Sequence, residues 1–316
     1  MKLLVTGGAG YIGSHVVRIA EDSGADVTVI DDLSTGLVER VGQKVIKLDL
    51  SSDDAVKTLT DLMTSTRFDA VIHLAARKQV GQSVEQPERY YKDNIGGLAN
   101  LLIAMRASQT LKLVFSSSAA TYGMPSEDTV DETYPGKPIN PYGETKLVGE
   151  WLVRNASVWG LRSVNLRYFN VAGTGFEDLA DTAALNLIPI AIGQLRSGQN
   201  PVVFGADYPT PDGSCIRDYV HVQDLAKAHL RAVAYLDQPE REFDTFNVGT
   251  GVGASVFEVL EELKKASGID FEIQVAPRRP GDPPRLVADV SRIKKTLGFE
   301  CEFDLREIVR SAWAAS

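Results

Sequence analysis

Six short apolar runs in the first half of the chain alternate with segments of helical periodicity: KLLVT (2–6), DVTVID (26–31), KVIKLDL (44–50), DAVIHLA (69–75), KLVFSSS (112–118) and RSVNLRYFN (162–170). Runs that are apolar throughout, rather than at every second residue, belong to strands covered on both faces. Strands that alternate with helices in this way predict an α/β fold with a doubly wound parallel sheet. A helix over about 87–108, with Leu98, Leu101, Leu102 and Met105 on one stripe, suits one of the covering layers.

The segment TGGAGYIG places Gly7, Gly10 and Gly13 directly after the first strand and at the start of a helix. That position needs a tight turn, room for backbone to approach a pyrophosphate, and free N–H groups at a helix N-terminus. Tyr11 and Ile12 lie within the same loop and are expected to touch the cofactor with it. Asp31 and Asp32 end the second strand, where a carboxylate binds ribose hydroxyls and repels a 2′-phosphate, so NAD is expected over NADP. Asp49 and Leu50, ending the third strand, are expected to meet the adenine. His15, one turn into the helix, reads as structural.

After Asn170 the alternation weakens. A helix is expected at about 181–197, followed by the Pro/Gly-rich stretch FGADYPTPDGSCIRDY, a helix at 223–236 and a strand at 245–249. These features predict a Rossmann domain from 1–170 and 218–250, with a smaller, discontinuous C-terminal lobe from 171–217 and 251–316.

A chain of 316 residues with 44% apolar and 24% charged residues can bury a large core. Its formal net charge of -9 argues against a nucleic-acid binder that relies on a basic field. Cys215 and Cys301 form no C-x-x-C pair, and the four histidines have no metal-like spacing, so reduced thiols, a cytoplasmic setting and no metal are expected. The opening MKLLV is too short for a signal peptide before the glycines begin, and no apolar run has the length of a membrane span.

Candidate catalytic residues are Ser118, at the end of the fifth strand, and Tyr142 and Lys146 in NPYGETK. Residues at i and i+4 share a helix face, so the ammonium can sit beneath the phenol. A free tyrosine, pKa about 10, is a poor base at neutral pH. A neighbouring cation lowers a pKa by roughly 1–3 units, and an oxidised nicotinamide adds a second positive charge, so Tyr142 is expected to become a general base with Ser118 sharing the proton. On its own, Tyr-x-x-x-Lys is more often an ordinary amphipathic helix with a solvated lysine, and it is the strand-end serine and the dinucleotide loop upstream that favour catalysis.

TGGAGYIG, SSSAATYG and PYGETK, in this order, resemble the extended short-chain dehydrogenase/reductase superfamily. With HLAARKQVGQSV, LRYFNVAG, FGADYPTPDGSCIRDYVHV, NVGTGVG and PRRPGD, nearly the whole chain resembles its UDP-glucose (UDP-galactose) 4-epimerase family. The resemblance implies further NAD contacts from Leu74, Ala75, Ala76, Lys78, Asn94, Ser116, Tyr168 and Phe169. For the nucleotide-sugar it implies Ser118, Asn170, Asn186, Leu187, Val202, Phe204, Arg217, Arg279, Asp282 and Leu286, the two arginines on the pyrophosphate and Phe204 under the uracil.

The implied reaction is oxidation at C4 by tightly bound NAD to a 4-keto sugar, rotation about the link to UDP, and re-reduction on the opposite face. Leu286 lies where side-chain size governs acceptance of N-acetylated sugars, which leaves UDP-GlcNAc/GalNAc open. A nucleotide-sugar 4,6-dehydratase is disfavoured because Ala119 and Ala120 replace the acidic residues that such an enzyme carries after the strand-five hydroxyl. A non-catalytic NAD sensor has no reason to keep Ser118, Tyr142 and Lys146 in register. Gly96 in NIGG, where the resemblance leads one to expect asparagine, should loosen its helix by roughly 1 kcal/mol. Apolar stripes on helices at about 86–108 and 141–158 suggest a homodimer.

Overall fold

The computed structural model describes all residues except Gln43, Lys44, Ala184, Pro239 and Pro280. The chain divides into two compact units. Residues 1–121, 138–167 and 226–246 form the first, and 122–137, 168–225 and 247–316 the second.

The first unit is built on strands β1 (Lys2–Thr6), β2 (Asp26–Asp31), β3 (Val45–Lys47), β4 (Ala70–His73), β5 (Lys112–Ser116) and β6 (Arg162–Tyr168). In the second lie β7 (Asn170–Ala172), β8 (Val202–Phe204) and β9 (Ile216–His221). The chain then returns through β10 (Phe243–Val248) to the edge of the first sheet, and β11 (Gly253–Ser255), β12 (Gln274–Ala276) and β13 (Arg285–Leu286) follow. The large sheet has the order β10-β6-β5-β4-β1-β2-β3, and its β1 is parallel to both β2 and β4. This is the doubly wound arrangement expected of the alternating strands. Its order reverses between β1 and β4, and in open sheets of this kind ligands bind at the carboxyl ends of the strands flanking that switch point.

The covering helices of the first unit are α1 (Tyr11–Asp22), α2 (Ala55–Thr66), α3 (Val80–Glu85), α4 (Pro87–Tyr90), α5 (Gly97–Ser108) and α6 (Pro141–Asn155). Leu98, Leu101, Leu102 and Met105 of α5 are buried against Leu59 and Met63 of α2 and Leu113 of β5, as the stripe predicted. The helix expected over 87–108 is interrupted: Tyr91–Gly96 is a π-helical segment between α4 and α5. A side chain on Gly96 would meet nothing within 4 Å, so the glycine opens no close approach there. The strand expected at 44–50 is shorter, with β3 ending at Lys47; Lys44 lies outside the described residues.

In the second unit α7 (Leu187–Arg196), α8 (Val222–Tyr235), α9 (Val256–Ser267), α10 (Ser291–Leu297) and α11 (Leu305–Ala314) follow in order, α8 running on into the first unit. The helix expected from 181 starts later, at Leu187, with Asn186 as its extended N-cap residue. Ile188 and Ile192 of α7, Val259, Leu260 and Leu263 of α9, and Ile308 and Val309 of α11 form its buried core. Reciprocal capping boxes, Ser255 with Glu258 and Asp304 with Glu307, fix the starts of α9 and α11. Among the described residues no helix is long and apolar enough to cross a membrane.

Candidate active site

The glycine loop sits at the switch point. Leu74 and Ala75, leaving β4, both donate to the Thr6 carbonyl at the end of β1, at 2.9 and 3.1 Å. Gly7 has φ +72°, and a Cβ on it would lie 2.6 Å from the Ala75 nitrogen. A Cβ on Gly13 would lie 2.1 Å from the Gly7 carbonyl oxygen. Neither position tolerates a side chain, and Gly10 begins α1 without a side-chain cap. First-turn N–H groups without a capping side chain, beside bare backbone, are what a pyrophosphate requires, so these residues fit a dinucleotide.

Asp31 is buried and holds the loop itself. Its Oδ2 accepts from Ala9 N–H at 3.0 Å and its Oδ1 from Leu33 N–H at 2.9 Å. Burial raises its pKa, and these two bonds oppose the rise. Asp32 Oδ1 accepts from the Ser34 amide and hydroxyl. Asp49 is exposed and caps its own turn through Ser51, whereas Leu50 is buried and its carbonyl accepts from Asn100. Tyr11 is buried under the loop, Ile12 is half-buried, and His15 packs edge-on against Tyr11 as a core residue. Ala76 is half-buried beside Ala75, and Lys78 is exposed.

Asn94 is the buried member of the π-helical segment. Its Oδ1 accepts from Arg77 N–H at 2.8 Å, and its Nδ2 donates to the Arg77 carbonyl and to Thr145 Oγ1 at 3.1 and 3.0 Å. Thr145 in turn donates to the Tyr142 carbonyl. The π-bulge therefore clamps the strand-four loop to the helix carrying Tyr142. Such bulges concentrate at functional sites, and a glycine pair in the sequence gave no signal of one.

Helix α6 begins at Pro141 with Asn140 capping the Gly143 N–H at 2.9 Å. A Cβ on Gly143 would lie 2.6 Å from the Ala120 carbonyl oxygen, which brings the first turn of α6 hard against the segment after Ser118. Tyr142 is 8% exposed and faces Ser118, whose Oγ accepts from Ala120 N–H. Lys146 is 4% exposed, donates to the Ser116 carbonyl at 2.8 Å, and lies 5.9 Å from the centre of the Tyr142 ring. Ser118, Tyr142 and Lys146 are thus brought together as expected from the motif.

The expected fall in the Tyr142 pKa joins two cations, and only Lys146 is part of the chain. Burial raises the Tyr142 pKa above its ordinary 10.0; the Ser118 hydroxyl pulls the other way, and Tyr90 adds a further rise. Burial also lowers the Lys146 pKa to about 8, with Glu150 opposing. The Lys146 ammonium is directed at the Ser116 carbonyl and is itself desolvated.

Around the triad lies a layer that the sequence did not reveal. Arg167, on β6, donates to Glu150 from Nε and Nη2 at 2.8 and 2.6 Å, and Ser117 donates to the same carboxylate. Ser116 Oγ meets His229 Nε2 at 2.9 Å. His73 is buried against Thr6 Oγ1 at 2.7 Å, and burial followed by the Lys146 charge lowers its pKa to about 3. The one available signal for Glu150 was its spacing, four residues beyond Lys146 on the same face; a lone glutamate in a helix otherwise reads as solvated.

The second unit holds the remaining candidates. In its small sheet β9 is flanked by β7, β11 and β13, and the register sets Leu286 beside Arg217. Arg217 Nη1 donates to the carbonyls of Ile216 and Pro283 at 2.9 and 2.7 Å, and its Nη2 is 3.5 Å from Asp282 Oδ1. Arg279 stacks on Phe204, 3.8 Å from the ring centroid. One face of Phe204 is therefore covered, and a base stacking on that ring has only the other. Val202 is half-buried in β8, Asn186 is exposed, and Leu187 is half-buried at the start of α7. Asn170 lies beside Tyr219, its register partner on β9. Tyr168 is half-buried, and Phe169 is buried against Tyr122 with its N–H on the Val248 carbonyl. Among the described residues no group of three His, Cys, Asp or Glu could hold a metal ion.

A profile of the NAD dependent epimerase/dehydratase family matches residues 3–249. A UDP-glucose 4-epimerase from Azospirillum brasilense is 45% identical over 98% of this chain and 90% of its own length. Among solved structures, the Brucella ovis UDP-glucose 4-epimerase, in complex with NAD, superposes with a TM-score of 0.93 at 40% identity, covering 99% of this chain and 97% of that one. The Stenotrophomonas maltophila enzyme, with bound NAD and a formylated UDP-arabinopyranose, gives 0.94 at 36% identity over 100% and 97%.

Proposed function

Since the chain belongs to the NAD dependent epimerase/dehydratase family, we propose that it is a UDP-glucose/UDP-galactose 4-epimerase. The observation that carries this reading is the buried Tyr142 facing Ser118 beside a turn in which Ala119 and Ala120 present only methyl groups. A 4,6-dehydratase needs acid and base groups at that turn, whereas an epimerase needs only a proton carrier for one hydroxyl.

When bound, NAD supplies an acceptor that takes hydride from the sugar C4 and gives it back. Gly7, Gly10 and Gly13 leave room for its pyrophosphate, and the Asp31 carboxylate favours free ribose hydroxyls over a 2′-phosphate. Tyr142 Oη takes the proton of the 4-hydroxyl, and Ser118 Oγ keeps a hydrogen bond on the reacting oxygen as its charge changes. Lys146 holds a positive charge beneath the phenol. After the hexose has turned, Tyr142 returns the proton to the same oxygen. Turning requires the nucleotide to be held firmly and the sugar loosely; we assign the holding to Arg217, Arg279 and Asp282, with Asn170, Asn186, Leu187, Val202 and Phe204. Guanidinium groups match a diphosphate in both charge and shape, which an acidic chain needs locally.

Two further expectations belong to this reading. Trp151 and Val158, 56% and 88% exposed, lie on and just beyond α6, and Val84, Tyr91 and Ile103 are exposed on α3, the π-helical segment and α5. Large apolar side chains left in water on neighbouring helices support a homodimer, which sedimentation at micromolar concentration would reveal. Two free cysteines suit a reducing compartment such as the cytoplasm.

The assignment is tested by incubating the protein with UDP-glucose, UDP-galactose and their N-acetyl forms without added NAD and separating the products. Interconversion of the first pair supports it, and release of a 4-keto-6-deoxy sugar defeats it. The N-acetyl arm reads the space beside Leu286.

A further inference from the structure

Three consecutive serines leave β5, and each meets a different turn of α6. Ser118 faces Tyr142, the Ser116 carbonyl accepts from Lys146 at 2.8 Å, and the Ser117 hydroxyl donates to Glu150. Tyr142, Lys146 and Glu150 are spaced i, i+4 and i+8, so one helix face is pinned to one strand end at three successive turns. The third pin has no part in proton transfer. Glu150 is 4% exposed and takes a two-toothed fork from Arg167 at 2.8 and 2.6 Å. Through it α6 is tied to β5 and β6 together.

A buried ion pair is a weak source of stability, because removing both charges from water offsets most of their attraction. Well-packed apolar side chains would hold α6 on the sheet as well. What they would not provide is a fixed anion one turn from Lys146 and an acceptor for Ser117.

We propose that Glu150, held by Arg167 and Ser117, is a positioning residue for the reaction, setting the seat of Lys146 and the register of Tyr142 against Ser118. This inference rests on the epimerase reading above. The groups facing Lys146 from each packed element are Tyr142 and Glu150 on its own helix, His73 from β4, Phe115 and the Ser116 carbonyl from β5, Arg167 from β6 behind Glu150, and His229 from α8 behind Ser116. His73 is held neutral by burial, so Glu150 is the charge that opposes the desolvation of Lys146. Without it, burial dominates and the Arg167 charge is left behind in the same place.

The experiment uses the full chain with its own cofactor. Lysine side chains are labelled for NMR, and Lys146→Arg identifies the Lys146 signal. In Glu150→Gln the Lys146 midpoint falls by about one unit or more. Turnover at neutral pH falls about 10–100-fold, in line with a small misplacement of reacting groups, and the turnover–pH profile moves with the midpoint. Glu150→Asp recovers part of both. The double variant Glu150→Met/Arg167→Met, in which no charge is stranded, regains thermal stability but stays at least about tenfold below the wild type in turnover.

An unshifted Lys146 midpoint in Glu150→Gln would overturn the proposal, as would wild-type turnover in the double variant, because the pair would then be structural only. If Glu150→Gln does not fold, the double variant carries the test. A wild-type chain that does not epimerise refutes the functional reading instead, while the Lys146 midpoint still reports on Glu150.

Discussion

Gly149 lies against the Phe115 ring so closely that a Cβ on it would sit 2.6 Å from Cζ. Together with Gly143 on the Ala120 carbonyl, it lets α6 approach β5 and the turn that follows it on either side of Lys146. Alanine in a helix interior ordinarily gains about 0.5–1 kcal/mol over glycine. Overpacking a close contact costs about 1–3 kcal/mol, and here the neighbour is a rigid ring in the core. Gly149→Ala therefore lowers the urea midpoint of unfolding, and it lowers turnover as well because Tyr142 moves with the helix. A raised midpoint would mean that Phe115 yields easily and that the glycine does not set the helix position.

The charge of Tyr142 depends on what joins it. In the chain itself burial holds the phenol above its ordinary pKa, with Ser118 opposing. A cationic nicotinamide beside it adds the second charge that Lys146 alone does not bring to bear, worth a fall of roughly 1–3 units. Near-ultraviolet phenolate absorbance, taken as the difference between the wild type and Tyr142→Phe, should therefore show ionisation only in strong alkali for cofactor-stripped protein and a lower midpoint once NAD is restored. Equal midpoints in the two states would remove the electrostatic role of the cofactor.

Histidine 73 predicts an acid weakness. Its pKa is lowered to about 3 by burial and by the Lys146 charge, against an ordinary 6.5. Between these values the unfolded chain binds a proton that the folded chain refuses, so unfolding is favoured as pH falls. The stabilisation is fully present above pH 6.5 and is lost as the pH drops toward 3. The slope for one such group approaches about 1.4 kcal/mol per pH unit. Urea unfolding across mildly acid pH should show a shallower decline in His73→Gln than in the wild type. Parallel curves would mean that His73 titrates freely in the folded protein.

The parts of this molecule that were legible in its sequence were those governed by local rules. Continuous apolar strands gave the sheet: β1 and β2 lie where KLLVT and DVTVID were read. The glycine spacing located the loop at the switch point, and Tyr-x-x-x-Lys after a proline placed α6. What escaped were features that depend on partners distant in the chain. The Glu150–Arg167 pair spans 17 residues, Ser116 and His229 are 113 apart, and the stack of Arg279 on Phe204 joins a loop to the end of β8. The role of Asn94 in the π-helical turn escaped for the same reason, because its side chain bonds Arg77 and Thr145, 17 and 51 residues away. Sequence spacing gave the proximity of Lys146 to Tyr142 but not the direction of its ammonium, which donates to the Ser116 carbonyl.

The measurement that bears most directly on the central claim is conversion of UDP-glucose by the purified chain without added NAD, run beside Tyr142→Phe with bound cofactor quantified in both. The account predicts UDP-galactose from the wild type, turnover reduced by orders of magnitude in the variant, and an equal NAD content in the two. Near-wild-type epimerisation by Tyr142→Phe, or no epimerisation by a wild-type chain that carries NAD, would contradict it.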